Sequence, residues 1–175
     1  MKESEVIVRN ISADDDPYLA KIIRDALENF DANLPGTVYF DPTTDHLSNI
    51  FTVKGAQYYV AIINDVIVGG GGYFPTDGLP DDTCELVKMY INKDFRGRGI
   101  GKLLLHRSIE DAVADGYKYM YLETLPQLNR AVSLYEKNGF EKLLGPMGNS
   151  GHFGCNMWMI RRLSLIHISE PTRPY

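Results

Sequence analysis

The chain has 175 residues, with 18 Lys and Arg against 23 Asp and Glu, a formal net charge of −5, four His and two Cys. That length fits one domain with its own core, and its 44% hydrophobic and 23% charged residues are ordinary for a globular chain. Two cysteines exclude a disulfide framework and a paired-cysteine zinc site, and the acidic balance argues against a nucleic-acid partner. The first ten residues hold no apolar signal core, and no apolar run approaches the ~20 residues of a membrane span, so the expectation is a cytoplasmic protein with no membrane partner.

In chain order, residues 5–11 alternate and are rich in β-formers, predicting a strand. Asp14, Asp15, Asp16 and Pro17 then open a helix, with Leu19, Ile22, Ile23, Ala26, Leu27 and Phe30 at helical spacing. Residues 33–41 read as a loop through Pro35 and Gly36, and 42–51 as a second short helix. Residues 57–63, Asn64-Asp65 and 66–73 form a hairpin pattern. A loop at 76–82 leads to a strand at 84–91. Residues 99–114 form an amphipathic helix with Leu105, Ile109 and Val113 on one stripe. A strand at 118–124, a helix at 129–137 closed by Gly139, and strands at 140–144 and 152–162 complete the pattern. The order β-α-α-β-β-β-α-β-α-β-β, in which a helix twice returns the chain to a parallel neighbour, predicts an α/β (α+β) sandwich. Residues 163–173, L-S-L-I-H-I-S-E-P-T-R, resemble the in-frame translation of a sequencing-library adapter. The domain is therefore placed at 1–162, with 163–175 as an artefactual tail.

Between a strand and a helix stands Arg96-Gly97-Arg98-Gly99-Ile100-Gly101-Lys102. Glycines at such a junction let backbone N–H groups converge on an anion, the helix N-terminus adds partial positive charge, and Arg96, Arg98 and Lys102 add formal charge. The segment reads as a pyrophosphate cradle. It is not a Walker A loop, because Leu103 follows Lys102, nor a G-x-G-x-x-G fingerprint, because Lys102 stands where the third glycine belongs. The tetraglycine at 69–72 fits neither pattern and reads as a strand bulge or a close backbone approach.

The segment does match R-x-x-G-x-G, the acetyl-CoA signature of the GNAT family of N-acetyltransferases. The preceding E-L-V-K-M-Y-I resembles that family's fourth strand, and N-R-A-V-S-L-Y-E-K-N-G-F its closing helix-to-strand stretch, so the resemblance covers nearly all of residues 1–162. It implies a mixed sheet of about seven strands, splayed between the fourth and fifth and flanked by about four helices. It further implies that the N–H groups of the Arg96–Lys102 segment hold the pyrophosphate of acetyl-CoA. Met89, Tyr90 and Ile91 would then pair with the pantetheine arm, and Asn129 would touch the cofactor. Tyr135 would be the general acid for the departing thiolate. Dimerisation is common in the family, so a homodimer is compatible with it.

On its own terms, acyl transfer from a thioester to an amine needs the neutral amine, which an ammonium of pKa ~10.4 offers at pH 7 in roughly one molecule per few thousand. A base, an N–H donor for the developing oxyanion and an acid for the sulfur each help. No covalent nucleophile is required, which leaves the cysteines out. Glu85, expected on one strand face with Val87, Met89 and Ile91, is the first candidate base, because an apolar face raises a carboxyl pKa toward neutrality. Its position also matches the glutamate of the family's histone-modifying branch. Glu123, expected to share a face with Tyr119 and Tyr121, is the rival. Asn129 also reads as the N-cap of its helix. His152 and Cys155, in G-H-F-G-C, lack the further ligands a metal needs, and no metal is expected. By position in the family, Tyr39, Phe40 and Asp45 fall near the acceptor pocket, and His152 is a further lining candidate. Asp77, Asp81 and Asp82 read as a solvated loop. The leading expectation is transfer of acetyl from acetyl-CoA to a small-molecule primary amine: amino-acid-, polyamine- or aminoglycoside-like. The alternatives are a protein or peptide acetyltransferase and a non-catalytic CoA-binding sensor.

Overall fold

The computed structural model describes residues 5–151 and 154–163. Its strands are Val6–Asn10 (β1), Gln57–Ile63 (β2), Val66–Phe74 (β3), Thr83–Ile91 (β4), Tyr119–Thr124 (β5), Glu141–Leu143 (β6) and Met157–Arg162 (β7). The α-helices are Asp16–Asn29 (α1), Leu47–Ile50 (α2), Ile100–Ala114 (α3) and Asn129–Lys137 (α4). The strands join in one sheet in the order β1-β2-β3-β4-β5-β7-β6. The expected element order holds. The expectation of two helices that each return the chain to a parallel neighbour does not. Among the described residues β4 and β5 are the parallel neighbours, and β7 inserts antiparallel between β5 and β6. The strand expected from residue 152 begins at Met157, and His152 itself lies outside the described residues. Leu163, assigned from sequence to the tail, is buried in the core and donates its N–H to the Lys118 carbonyl (2.7 Å).

Each face of the sheet carries its own apolar layer. Leu104, Leu105 and Ile109 of α3 meet Tyr59, Val68, Cys84, Leu86 and Met120 on one face. Leu19, Ile23 and Leu27 of α1 meet Tyr58 and Val60 on the other, with Leu47 of α2 and Tyr90 of β4 in the same layer. The periodicity seen in α1 and α3 is thus the trace of two opposite sheet faces. Two buried tyrosines fix α3 in position: Tyr59 Oη donates to Asp111, and Tyr73 Oη donates to Asp115 (2.6 Å). Asn64 and Asp65, with φ of 49° and 65°, close the β2–β3 hairpin in the mirror-image turn that matches strand twist.

Two irregularities in β4 create the site. The first is a bulge: Gly70 pairs with Tyr90 but Gly72 with Val87, so the register slips between them. Lys88 sits in the slip with φ of 54°. The four glycines opposite are the reason it is tolerated. A Cβ on Gly70 would lie 2.7 Å from the Tyr58 ring, and one on Gly72 would lie 2.1 Å from the Gln57 carbonyl oxygen. Without those side chains, Tyr58 crosses beneath β3 and donates its hydroxyl to the Lys88 carbonyl (2.8 Å). The second irregularity is a splay. β4 and β5 pair at Thr83–Tyr119, Cys84–Met120 and Glu85–Tyr121, whereas β5 continues along β7 as far as Thr124–Met157. Beyond Glu85 the two parallel strands part, and the gap opens into a cleft.

Candidate active site

The cleft has a volume of about 370 Å³, within the range of small-molecule and cofactor sites. β4 supplies Lys88, Met89, Tyr90 and Ile91 to its wall, β5 supplies Glu123, and α4 supplies Tyr135. The segment running from Arg96 into α3 closes one end.

At that end the chain presents groups suited to an anion. Gly99 is the N-cap of α3 with φ of 78°, a conformation that glycine adopts freely, and nothing lies within 4 Å of where its Cβ would stand. Among the described residues, no backbone carbonyl accepts from the N–H groups of Gly99 through Lys102. These are the unsatisfied donors of a helix start, at the positive end of its dipole. Arg96 and Lys102 bring cations to the same wall, and Arg130 of α4 joins them. Burial, then the neighbouring Arg130, lowers the Arg96 pKa, as expected of cations gathered without an anion between them. Free N–H groups, a helix N-terminus and three cations fit the pyrophosphate of acetyl-CoA. Arg98, expected in the cradle, turns its guanidinium over the Phe95 ring (5.1 Å) and does not line the cleft.

At the other end lie two carboxyl groups. Glu85 is 4% exposed and accepts a hydrogen bond from the Thr76 hydroxyl. Burial, reinforced by the charge of Glu123, pushes its pKa up to about 7. It does not share a face with Met89 and Ile91, as simple alternation predicts. Cys84, Leu86, Met89 and Ile91 all contact the α3 layer, and Tyr90 contacts the α1 layer. The bulge at Lys88 reverses the alternation between Leu86 and Met89, which leaves Glu85 on the opposite face from them. Glu123 lines the cleft directly, held by the hydroxyls of Tyr121 (2.7 Å) and Ser150. The pairing with Tyr121 agrees with the expected shared face. Glu85 stands beside the cleft wall and is linked to it electrostatically through Glu123.

Tyr135 is 6% exposed, packs on Phe140 (5.7 Å between centroids) and lines the cleft. Burial raises its pKa, so it holds its proton. Asn129 is exposed and is the first residue of α4, not its N-cap. Leu128 takes that place, with no side-chain cap. Residues 39, 40 and 45 do not line the cleft. Tyr39 donates to Glu28 (2.6 Å), Phe40 is exposed, and Asp45 is held by Arg24 at 2.6 and 3.0 Å. Cys155 is half-buried, and burial pushes its thiol up to about 12. In the 76–82 loop, the Asp82 carbonyl accepts from Lys118 N–H (2.7 Å) and the Asp77 carbonyl from Asn149 N–H (2.7 Å), so this loop is docked on its neighbours. Among the described residues no three His, Cys, Asp or Glu side chains converge as a metal site, and no helix is long and apolar enough to cross a membrane.

Sequence reading missed Lys88, Arg130 and Thr76. The signal for Lys88 was present, since four consecutive glycines on one strand announce a bulge on its partner. Arg130 follows Asn129 directly, and a cation at a helix start beside a glycine-rich loop is a signal for a further anion-binding candidate.

With this geometry in place, comparison with known proteins is specific. The profile of the Acetyltransferase (GNAT) family matches residues 20–140. The uncharacterized N-acetyltransferase YjgM of Escherichia coli (strain K12) is 35% identical over 158 residues, which are 90% of this chain and 95% of that protein. The crystal structure of an acetyltransferase of the GNAT family from Staphylococcus aureus superposes with a TM-score of 0.80 at 23% identity, over 91% of this chain and all of that one. N-acetylglutamate synthase from Neisseria gonorrhoeae, solved with coenzyme A and N-acetyl-glutamate, superposes with a TM-score of 0.70 at 17% identity, over 93% of this chain and 36% of that one.

Proposed function

The chain belongs to the acetyltransferase (GNAT) family and is an acetyl-CoA-dependent N-acetyltransferase; we propose that its acceptor is a primary amine of a small molecule, with Glu85 as the base and Tyr135 as the acid. Acetyl-CoA supplies a thioester whose carbonyl carbon takes the amine's lone pair as the C–S bond breaks. The N–H groups of Gly97–Lys102, with Arg96, Lys102 and Arg130, hold its pyrophosphate, and the Met89–Ile91 edge of β4 carries its pantetheine arm. Glu85, at a pKa of about 7, takes the proton that the amine must lose, through Glu123 or one water at the cleft wall. Tyr135, protonated in its apolar setting, stands on the cleft and gives a proton to the leaving sulfur. The observation that carries this reading is the placement of a buried carboxyl where β4 and β5 part.

Thermal unfolding of the full chain with acetyl-CoA, against ATP and NAD, is the first test. A ligand at ~100 times its Kd adds about 2.7 kcal/mol, a rise of about 5–10 °C for a domain of this size. Small primary amines are then screened for acetyl-CoA-dependent thiol release. Acetylation confined to peptides assigns a protein acceptor. A shift with acetyl-CoA but no turnover with any amine or peptide contradicts the catalytic assignment and favours a CoA-binding sensor.

A further inference from the structure

The residue that best distinguishes the acceptor end of this cleft is Lys88. Among the described residues, the others with positive φ outside glycine are Asp31, Asn64 and Asp65, types whose short polar side chains tolerate that conformation. A lysine there is uncommon, and uncommon backbone held in place by its surroundings gathers at functional sites. Here the surroundings do hold it: the bulge, the four glycines and the Tyr58 hydroxyl on the Lys88 carbonyl all fix this one position.

Lys88 lines the cleft. Burial lowers its pKa, against the charges of Asp41 and Glu85, which raise it. Both acids have other engagements. Asp41 caps the following turn, accepting from the Thr43 N–H (2.9 Å) and hydroxyl (2.6 Å), and Glu85 accepts from Thr76. The ion pairs among the described residues are Arg9–Asp15, Lys21–Asp25, Arg24–Asp45 and Arg107–Asp111, and Lys88 is in none of them. The cations of the anion loop form a separate group, with the end of β4 and the Lys93–Phe95 turn between. A half-buried lysine on the cleft wall, within electrostatic reach of a carboxyl suited to deprotonate an amine, is complementary to a molecule that carries both an amine and a carboxylate.

We propose that the acceptor is a carboxylate-bearing amine of amino-acid type, and that Lys88 determines this specificity by binding the acceptor's carboxylate while its amine meets the Glu123–Glu85 pair. The inference rests on the small-amine reading above. The β4 bulge takes Lys88 out of the strand's regular alternation at the cleft wall.

The test compares proteinogenic L-amino acids with their carboxamides as acceptors, by acetyl-CoA-dependent thiol release, in the wild type, Lys88→Gly and Lys88→Arg. Glycine suits a φ of 54°, so Lys88→Gly removes the ammonium and keeps the bulge. A charge-assisted contact is worth roughly 10- to 100-fold. The expected result is that acids exceed carboxamides at least about tenfold in kcat/KM in the wild type, that Lys88→Gly loses this preference, and that Lys88→Arg retains part of it. A lysine with a purely structural role would change Tm and leave the acid-to-amide ratio alone. Carboxamides that match acids in the wild type overturn the proposal, as does an undiminished preference in Lys88→Gly. If acetyl-CoA binds but no amine in the panel is acetylated, the small-amine reading fails separately. Calorimetry of the same amino acids with the CoA-saturated protein then decides the carboxylate site. Binding of acids that Lys88→Gly abolishes upholds it, and no binding overturns it.

Discussion

The two ends of the cleft are built on opposite principles. At the Arg96–Lys102 end, the proposed recognition rests on backbone N–H groups at a helix start and on cations that remain largely in contact with solvent. Glycine spacing is a direct sequence record of such a structure, and it was legible before any coordinates. At the Glu85–Lys88 end, the proposed function rests on charged side chains withdrawn from water. Their placement depends on a bulge in one strand, glycines in a second and a tyrosine in a third. No local spacing records that arrangement. An anion loop is written in a short contiguous segment, whereas an acceptor site is assembled from strands distant in sequence.

The largest effect that would sharpen this contrast is in Glu85→Gln. Loss of a general base costs about 10²- to 10⁴-fold in kcat, and the rise of kcat/KM with pH near 7 should vanish with it. What remains is the steady increase due to the amine's own deprotonation. The same carboxyl affects stability. Its folded pKa of about 7 lies above the unfolded value near 4.3. Its protonation therefore contributes stability that is complete below about pH 4 and is lost as pH rises through about 7. Denaturant titrations should show Glu85→Gln without this loss.

Next is Gly99→Asp, which places a side chain at φ of 78° and a negative charge where the anion binds. Acetyl-CoA should bind about 100-fold more weakly, some 2.7 kcal/mol. The thermal shift should disappear while the ligand-free Tm falls only slightly. An unchanged shift would remove the loop from the cofactor site.

Tyr58→Phe is smaller and joins the two halves of the argument. It removes the hydrogen bond to the Lys88 carbonyl (2.8 Å). The cost is about 1–3 kcal/mol for a partly buried acceptor left unpaired, or roughly 2–12 °C in Tm. If Tyr58 sets the bulge, the acid-to-amide preference should weaken in this variant, with acetyl-CoA affinity nearly intact. The smallest effect is expected at Arg98→Ala. That side chain lies over Phe95, away from the cleft, and its backbone N–H survives the substitution. Acetyl-CoA affinity should change less than about threefold, under 1 kcal/mol. Arg130→Ala should cost more.

Arg98 and Arg130 also show how far the sequence could be read. The motif named Arg98 because it stands in the loop, and passed over Arg130 because α4 approaches the loop only in three dimensions. The strands and helices were legible for the same local reason. Alternation in β2 and 3.6-residue spacing in α1 and α3 are recorded within single segments. Alternation failed in β4, where Met89 and Ile91 face α3 with Leu86 despite the odd spacing. Bulges change parity, and the glycines that permit this one lie on β3. Tyr39, Phe40 and Asp45 were expected near the acceptor. The residue from that loop whose charge acts on Lys88 is instead Asp41.

The most direct test of the account is acetyl-CoA-dependent acetylation of small amines, followed by thiol release between about pH 5.5 and 9 in the wild type and Glu85→Gln. The account predicts a wild-type kcat/KM that rises through a pKa of about 7 and a variant that is at least about 100-fold slower without that limb. A Glu85→Gln enzyme with the wild-type rate and profile would contradict it, because the carboxyl raised by burial at the parting of β4 and β5 would then have no part in the chemistry.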